Sequence, residues 1–258
     1  MQESEFGVSF IIPAYNEEHR IGPTLASYLP ELRKLHVPFE VIVSVSGTDH
    51  TPEVIDRFRD QGVKMVRFPY RVGKGRAIRE GILKARYSIV AYTDADGSVP
   101  ADEAVRLIRK GLDGKQVIVA SRRLDPSTVV VGEPPTKHLA STIWHLVVNS
   151  LLDLGVKDAE CGFKVFPKEA AQRTIRQVAV TNWCFDVDML YHLRKEGIPL
   201  REVPVRYSYN LQSRMRLVRD APLMMLTLLG IFAMNRTVLK NILPERSILL
   251  LNRTLLAN

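Results

Sequence analysis

Apolar residues recur along the chain in two alternating rhythms. Short runs of β-branched, aliphatic and aromatic residues are each followed by a stretch whose apolar positions lie three and four apart. Residues 8–13, 40–45, 63–68, 89–93 and 116–121 read as buried strands, because Val, Ile, Phe and Tyr suit a pleated surface covered on its faces. Leu25, Tyr28, Leu29 and Leu32 space as one helix face, residues 101–112 form a second amphipathic helix, and a third runs to about Arg86. Thr51, just before Pro52, is placed to cap the helix after the second strand. Strands alternating with helices predict an α/β domain built on a mainly parallel sheet, and such sheets bind ligands at the carboxyl ends of their strands.

The second half is less regular. The loop from residue 124 to Lys137, with Gly132, Pro134 and Pro135, reads as irregular. Residues 138–154 form a strongly apolar helix, and its stripe of Leu139, Ile143, Leu146, Val147, Ser150 and Leu151 is expected to pack into the core. Residues 158–166 begin acidic and continue as a strand. A helix opening near Asn182 puts Asp186 and Asp188 in its first turn, where negative charge is favourable in any case. Residues 201–207 alternate as an edge strand, which tolerates Pro204.

The tail differs in kind. Residues 221–234 carry no charge, yet fall short of the ~20 residues needed to span a bilayer. Beyond them, Arg236, Lys240, Arg246 and Arg253 alternate with Val238, Leu239, Ile242 and residues 249–251, the mix of amphipathic helices lying in a membrane interface. A helical lid or an oligomer contact is the competing reading. The expected organisation is a catalytic domain over residues 1–218 and an amphipathic, membrane-interface tail over 219–258. The tripeptides at 235–237 and 252–254 match the glycosylation pattern and are read as accidental, since the acidic N-terminus lacks the basic start and apolar stretch of a signal peptide.

Composition narrows the partners. A chain of 258 residues holds one large α/β domain and an appendage, and 46% hydrophobic with 25% charged residues excludes disorder. The net charge of +8 points to an anionic partner: nucleic acid, an anionic membrane surface or a phosphorylated substrate. Basic residues do not interleave with aromatics in any run, which sets nucleic acid aside. Cys161 and Cys184 offer neither metal spacing nor a disulfide framework, so they read as small buried hydrophobes in a reducing compartment.

The candidate chemistry gathers at strand ends. The run through residue 93 stops on Asp94-Ala95-Asp96-Gly97-Ser98, and two carboxylates there suit a hard divalent cation that carries phosphates. An Asp-x-Asp alone is weak, since a chain of this length shows roughly one by accident, and Asp186-Val187-Asp188 is a second copy. Gly73-Lys74-Gly75 has neither Walker spacing nor Gly-x-Gly-x-x-Gly, yet two glycines and a lysine at a helix start can meet a diphosphate. Arg122 and Arg123 bring positive charge to the same edge.

Seven motifs in order carry a resemblance: residues 12–18, Gly73-Lys74-Gly75, Asp94-Ala95-Asp96-Gly97-Ser98, Ser121-Arg122-Arg123, residues 161–166, residues 183–188 and Glu202-Val203-Pro204-Val205. The sequence resembles the family 2 glycosyltransferases of GT-A fold, and within them the dolichyl-phosphate glucosyltransferases and mannose synthases. The resemblance implies a Rossmann-like mixed, mainly parallel sheet flanked by helices, with C-terminal amphipathic helices. It implies that Pro13, Tyr15, Asn16, Glu17, Lys74 and Ala95 line a nucleotide-sugar site. It further implies that Asp94 and Asp96, with Ser98 near a third position, hold Mg²⁺ or Mn²⁺ on the diphosphate. Arg122, Lys137 and Arg214 are the expected contacts of an acceptor phosphate, and Asp186 falls where many inverting members keep a catalytic base. One motif departs: where the family has paired aspartates after its second strand, this chain has Ser44 and Val45, which leaves Asp49 as the candidate acid for the nucleotide.

The expected activity is inverting transfer of a hexose, glucose before mannose, from UDP-glucose or GDP-mannose to a polyprenyl or dolichyl phosphate, on the cytoplasmic face of a membrane and without a spanning helix. Asp96, Arg122 and Asp186 are the residues expected to act in the reaction. The alternatives are a transferase of the same fold with a soluble acceptor and a non-catalytic membrane-bound nucleotide-sugar sensor.

Overall fold

The computed structural model describes residues 5–125, 129–131, 135–209 and 217–235, with the side chains of 129–131, 135–137, 217–219 and 234–235 outside the description. The strands are β1 (Val8–Tyr15), β2 (Phe39–Ser46), β3 (Val63–Arg67), β4 (Ile89–Tyr92), β5 (Val117–Ser121), β6 (Val129–Val131), β7 (Lys164–Pro167), β8 (Leu200–Pro204) and β9 (Tyr207–Ser208). The helices are α1 (Ile21–Arg33), α2 (Thr51–Asp56), α3 (Lys74–Lys84), α4 (Ala101–Gly111), α5 (Pro135–Leu152), α6 (Lys168–Thr174), α7 (Phe185–Lys195) and α8 (Leu217–Asn235).

Seven strands form one sheet in the order β3-β2-β1-β4-β7-β5-β8. All its pairings are parallel except those of β7, which runs antiparallel between β4 and β5. That reversal matters for the site. A strand entering against its neighbours begins where they end, so Lys164, the first residue of β7, pairs with Tyr92 at the last position of β4 and with Val119 of β5. β8 is an edge strand, as expected, and Pro204 closes it opposite Ser121.

Helices cover both faces, which is why the central strands are apolar at nearly every position rather than at alternate ones. Phe10 and Ile12 of β1 point to a core shared with Leu25, Tyr28 and Leu29 of α1 and Leu107 and Ile108 of α4. Ile11, between them, points to a second core with Ile78 and Ile82 of α3, Leu190 and Leu193 of α7, and Leu228 and Ile231 of α8.

Three local expectations are corrected. Thr51 does not cap α2; its hydroxyl accepts the Glu17 N–H at 2.7 Å and donates to Asp49 at 2.7 Å, tying the loop after β1 to the loop after β2. The stretch after residue 124 is not wholly irregular, because β6 pairs in parallel with β9, and α5 begins at Pro135 rather than at His138. The phase of α5 also differs from the expected stripe. Trp144, His145, Val148 and Leu152 face inward, Val147 and Leu151 of the expected stripe pack partly against the same core, and Leu139, Ile143 and Leu146 stand 62%, 53% and 65% exposed. A helix that is apolar nearly all round has a weak periodic signal, and the bulky indole of Trp144 takes the inner position.

α8 is one-sided. Met224, Leu228, Ile231 and Ala233 are buried, Cys184 and Asn182 hydrogen-bond to it at the Met224 carbonyl and the Thr227 hydroxyl, and Leu226 and Leu229 are exposed. Among the described residues no helix is long and apolar enough to cross a membrane. Residues 236–258, including the basic and apolar positions expected to lie in an interface, fall outside the described residues, as does Arg214.

Candidate active site

The parallel strands β1, β2, β4 and β5 all leave the sheet on one edge, and β7 starts there. After β4 the chain turns through Thr93 to Gly97, where φ is 70°. Ala95 is buried, its carbonyl accepting the Thr24 hydroxyl at 2.9 Å, so Asp94 and Asp96 on either side of it are turned outward and partly exposed. The Asp96 carboxylate accepts the Ser98 N–H at 3.0 Å. Gly162, just before β7, backs onto Asp94: a Cβ there would sit 2.0 Å from Asp94 Oδ2, so any side chain would push the carboxylate aside.

Lys74 is the first residue of α3, and its Nζ lies 2.8 Å from Asp94 Oδ1 and 3.8 Å from Asp186 Oδ2. The second glycine of Gly-Lys-Gly has a packing role. A Cβ on Gly75 would lie 2.6 Å from Phe185, and the Gly75 N–H donates to the Thr181 carbonyl at 3.0 Å, so the start of α3 rests directly on the start of α7. Burial works against the charge of Lys74, but Asp94 and Asp186 outweigh it and hold its ammonium above the ordinary lysine range. Burial pushes the Asp94 carboxyl up, Lys74 pulls it down and Asp96 pushes it up again, leaving it above its ordinary value.

Asp186 is 2% exposed. Its Oδ1 accepts from the Tyr92 hydroxyl and from Lys164 Nζ, the latter at 2.8 Å. Burial disfavours its charge, but Lys164 and then Lys74 outweigh that, so its carboxyl titrates below the usual range. Asp188, two residues on, serves the backbone: its Oδ2 accepts the N–H groups of Ala179 and Val180 at 3.0 and 3.2 Å. The two Asp-x-Asp copies therefore differ in kind, one opening on the site edge and the other split between a buried ion pair and a loop clamp.

The loops after β1 and β2 clasp each other beside this edge. Asn16, at a positive φ of 52°, accepts the Thr48 N–H at 2.9 Å. Asp49 accepts the Glu18 N–H at 3.0 Å on one oxygen and the Thr51 N–H and hydroxyl on the other. Ser44 and Val45 lie inside β2, 0% and 2% exposed. Pro13 is partly buried opposite Ser44, and Tyr15 lies under the Arg71 guanidinium at 4.7 Å. Glu17 pairs with Arg20 through two contacts, the second at 2.6 Å, which brings a guanidinium into the field of Asp96 and Asp94.

Arg122 leaves β5 toward the same edge but is committed to Asp158. Its Nε and Nη2 donate to the two carboxylate oxygens at 2.7 and 2.8 Å, its backbone N–H donates at 2.9 Å, and its guanidinium lies 5.2 Å from the Tyr207 ring. Arg123 donates to Ser141 at 2.7 Å, anchoring α5 to the end of β5. Lys137 falls in the first turn of α5 with its side chain outside the description.

Sequence reasoning did not find Arg20, Tyr92, Asp158, Glu160 or Lys164. The one available signal was Lys164, a lone charge within an otherwise apolar strand. Glu160 Oε1 is buried with no hydrogen-bond partner. Burial, then the nearby charges of Asp186 and Asp158, push this carboxyl from 4.5 to about 7 against the pull of Trp144 and Arg122. The folded protein thus holds the Glu160 proton more tightly than the unfolded chain does. Its contribution to stability is complete below pH 4.5 and is lost as pH rises through about 7. Glu160→Gln is accordingly expected to leave the melting temperature unchanged at pH 5 and to raise it by a few degrees at pH 8, a gain of roughly 1–3 kcal/mol. Paired thermal melts at the two pH values check this, and an equal shift at both would refute it.

The residues present fit a divalent cation of the Mg²⁺ or Mn²⁺ type. Asp94 and Asp96 supply two hard oxygen donors on one outward-facing turn, and the Ser98 hydroxyl beside them is buried without a well-formed hydrogen bond. Among the described residues no group of three or more His, Cys, Asp or Glu is placed to hold a metal ion.

Residues 9–175 match the family described as glycosyl transferase family 2. A dolichyl-phosphate beta-glucosyltransferase of Homo sapiens is 31% identical over 218 residues, which cover 78% of this chain and 67% of that protein. A dolichyl-phosphate beta-glucosyltransferase of Trichomonas vaginalis is 30% identical over 227 residues, covering 83% of this chain and 67% of its own length. The chain thus spans about two thirds of these relatives. Among solved structures, mannosyl-3-phosphoglycerate synthase of Rubrobacter xylanophilus superposes with a TM-score of 0.64 at 18% identity, over 93% of this chain and 76% of that one. Glucosyl-3-phosphoglycerate synthase of Mycobacterium tuberculosis in complex with UDP does so with a TM-score of 0.60 at 19% identity, over 89% and 79%. With its Asp-x-Asp turn, its Gly-Lys-Gly helix start and its reversed strand on one sheet edge, the chain belongs to glycosyl transferase family 2 and is a glycosyltransferase of GT-A fold.

Proposed function

We propose that this glycosyltransferase moves a hexose, glucose foremost, from a nucleotide sugar to a dolichyl or polyprenyl phosphate at a membrane surface, with inversion at the anomeric carbon. The relatives named for dolichyl-phosphate glucosylation support the sugar and the acceptor. UDP and Mn²⁺ in a complex of the mycobacterial structure support a UDP-sugar donor and a divalent ion. The observation that carries the lipid acceptor is the exposed apolar ridge. Leu139, Ile143 and Leu146 share one face of α5, and Leu226 and Leu229 stand out from α8, which packs on α5. Leaving such side chains in water forgoes about 1.5–3 kcal/mol each, which a membrane interface would restore.

A phosphate acceptor needs little help to become a nucleophile. Its second pKa is about 6, so it is already ionised at neutral pH and no general base is required. Asp186, buried and hydrogen-bonded to Tyr92 and Lys164, has no need to fill that role. The work of the chain is to hold two anions in line. Lys74 stabilises the departing diphosphate, Arg20 adds positive charge near Asp96, and Arg122, Lys137 and Arg214 are the basic residues assigned to the acceptor phosphate. Asp94, Asp96 and Ser98 would hold the divalent ion, which when bound supplies charge neutralisation of the diphosphate.

The test uses radiolabelled UDP-glucose and GDP-mannose with Mn²⁺ and dolichyl phosphate. Glucose label is expected in the organic phase, and label passing only to a soluble acceptor such as phosphoglycerate overturns the lipid reading. Flotation with anionic liposomes is the second arm. Because the inner face of α8 belongs to the core, its deletion would confound the result. The combined Leu139→Ser, Ile143→Ser and Leu146→Ser variant is preferable, and is expected to lose flotation while keeping its fold.

A further inference from the structure

Behind the site edge runs a ladder of alternating charge. Lys164 is 0% exposed, its Nζ donating to Asp186 Oδ1 at 2.8 Å and to the Cys161 carbonyl at 2.8 Å, with the Tyr92 ring centroid 5.6 Å away. Asp186 Oδ2 then faces Lys74 at 3.8 Å, and Lys74 reaches Asp94 at 2.8 Å. The four groups come from β7, α7, α3 and the turn after β4, so the ladder joins four elements that are distant in sequence.

Stability does not account for it. A buried Lys–Asp pair loses several kcal/mol of hydration per ion, and replacing such a pair by apolar groups of the same volume is often neutral or stabilising. The pair ends instead on Lys74 at the start of α3, beside the Asp-x-Asp turn. With Asp94 alone as partner, the Lys74 ammonium would follow that carboxylate wherever it turned. Asp186 supplies a second, immobile anion, and Asp186 is itself fixed by Lys164 and by the Tyr92 hydroxyl. The contact of Gly75 with Phe185 holds the two helix starts together and sets the reach between them.

We propose that Lys164 is a positioning residue of the transferase: through Asp186 it fixes the ammonium of Lys74 where a donor diphosphate lies. The assignment rests on the nucleotide-sugar reading above. It also gives Asp186 a role other than proton acceptance, since both of its oxygens face cations or a hydroxyl donor rather than the open edge.

Lys164→Met alone strands a buried carboxylate at a cost in stability, so the informative variant is the double Lys164→Gln, Asp186→Asn, which removes both charges together and sets an amide donor against an amide acceptor. UDP affinity in the presence of Mn²⁺, measured by titration calorimetry, is the readout, with thermal melts alongside. The double variant is expected to melt within a few degrees of wild type yet to bind UDP about tenfold more weakly. Adding Lys74→Met to it is expected to weaken binding no further than Lys74→Met does alone, because groups acting through one another are not additive. Wild-type affinity in the folded double variant, or a fully additive loss in the triple variant, overturns the inference. A wild-type protein that binds no UDP overturns both this inference and the nucleotide-sugar reading beneath it, whereas the preceding outcomes leave that reading standing.

Discussion

Replacing Asp96 by alanine is expected to abolish glycosyl transfer while the fold survives. Its carboxylate is partly exposed and accepts the Ser98 N–H at 3.0 Å, a contact worth about 1 kcal/mol to the turn. The activity it supports is of a different order. A site that neutralises a diphosphate as it departs contributes several kcal/mol of transition-state stabilisation, and the loss of about 4 kcal/mol lowers the rate roughly a thousandfold. Turnover in the Asp96→Ala protein, set beside its melting curve and its response to added Mn²⁺, checks the point. Full activity, or turnover in wild type that is indifferent to chelation of divalent ions, would sink the metal proposal.

Arg122→Ala should show the opposite profile, a loss of stability before any loss of chemistry. Asp158 is wholly buried and takes three hydrogen bonds from Arg122. Burial works against the Asp158 charge, yet Arg122 holds its carboxyl well below the usual range. Removing one partner of such a pair leaves an uncompensated buried charge, which costs about 3–5 kcal/mol, or on the order of ten degrees in melting temperature for a chain of this size. The sign with pH is fixed by the same chemistry. Without Arg122 the carboxyl titrates higher, so the variant regains stability as falling pH protonates Asp158, and its deficit is smallest in acid. Urea melts at pH 5 and pH 8 decide it: a deficit that is small, or that does not depend on pH, would mean that Arg122 is not the counter-ion of Asp158. Low activity of Arg122→Ala is therefore evidence about an acceptor phosphate only at temperatures where the variant is folded.

The sheet was legible in the sequence because its strands are covered on both faces and so read as unbroken apolar runs, each ended by a turn residue. The donor edge was legible for a related reason: Asp94, Asp96 and Lys74 all follow such runs or open the next helix, where topology converges. What escaped was whatever depended on partners far along the chain. Lys164 shows in the sequence only as a lone charge beside an apolar run, and it is the reversal of β7 that places it at the ends of β4 and β5. Thr51 has the spacing of a cap, but the loop after β1 offers its hydroxyl a nearer donor in Glu17. The phase of α5 was not readable, since a helix apolar on most sides lets the shape of the neighbouring core choose which residues turn inward.

The reversed strand also sets an order of completion. β4 and β5 do not touch as neighbours; β7 is the wedge between them, so β5 and β8 join the first four strands only through residues 164–167. A nascent chain that has not reached residue 162 can pair β1 to β4 and carry both site carboxylates, yet it lacks the Gly162 wall behind Asp94 and the buried cation beneath Asp186. The stretch matching the family, residues 9–175, closes soon after that wedge is in place. The donor edge is therefore finished late: its wall comes with Gly162, its buried cation with Lys164, and the fixed anion facing Lys74 only with Asp186 on α7.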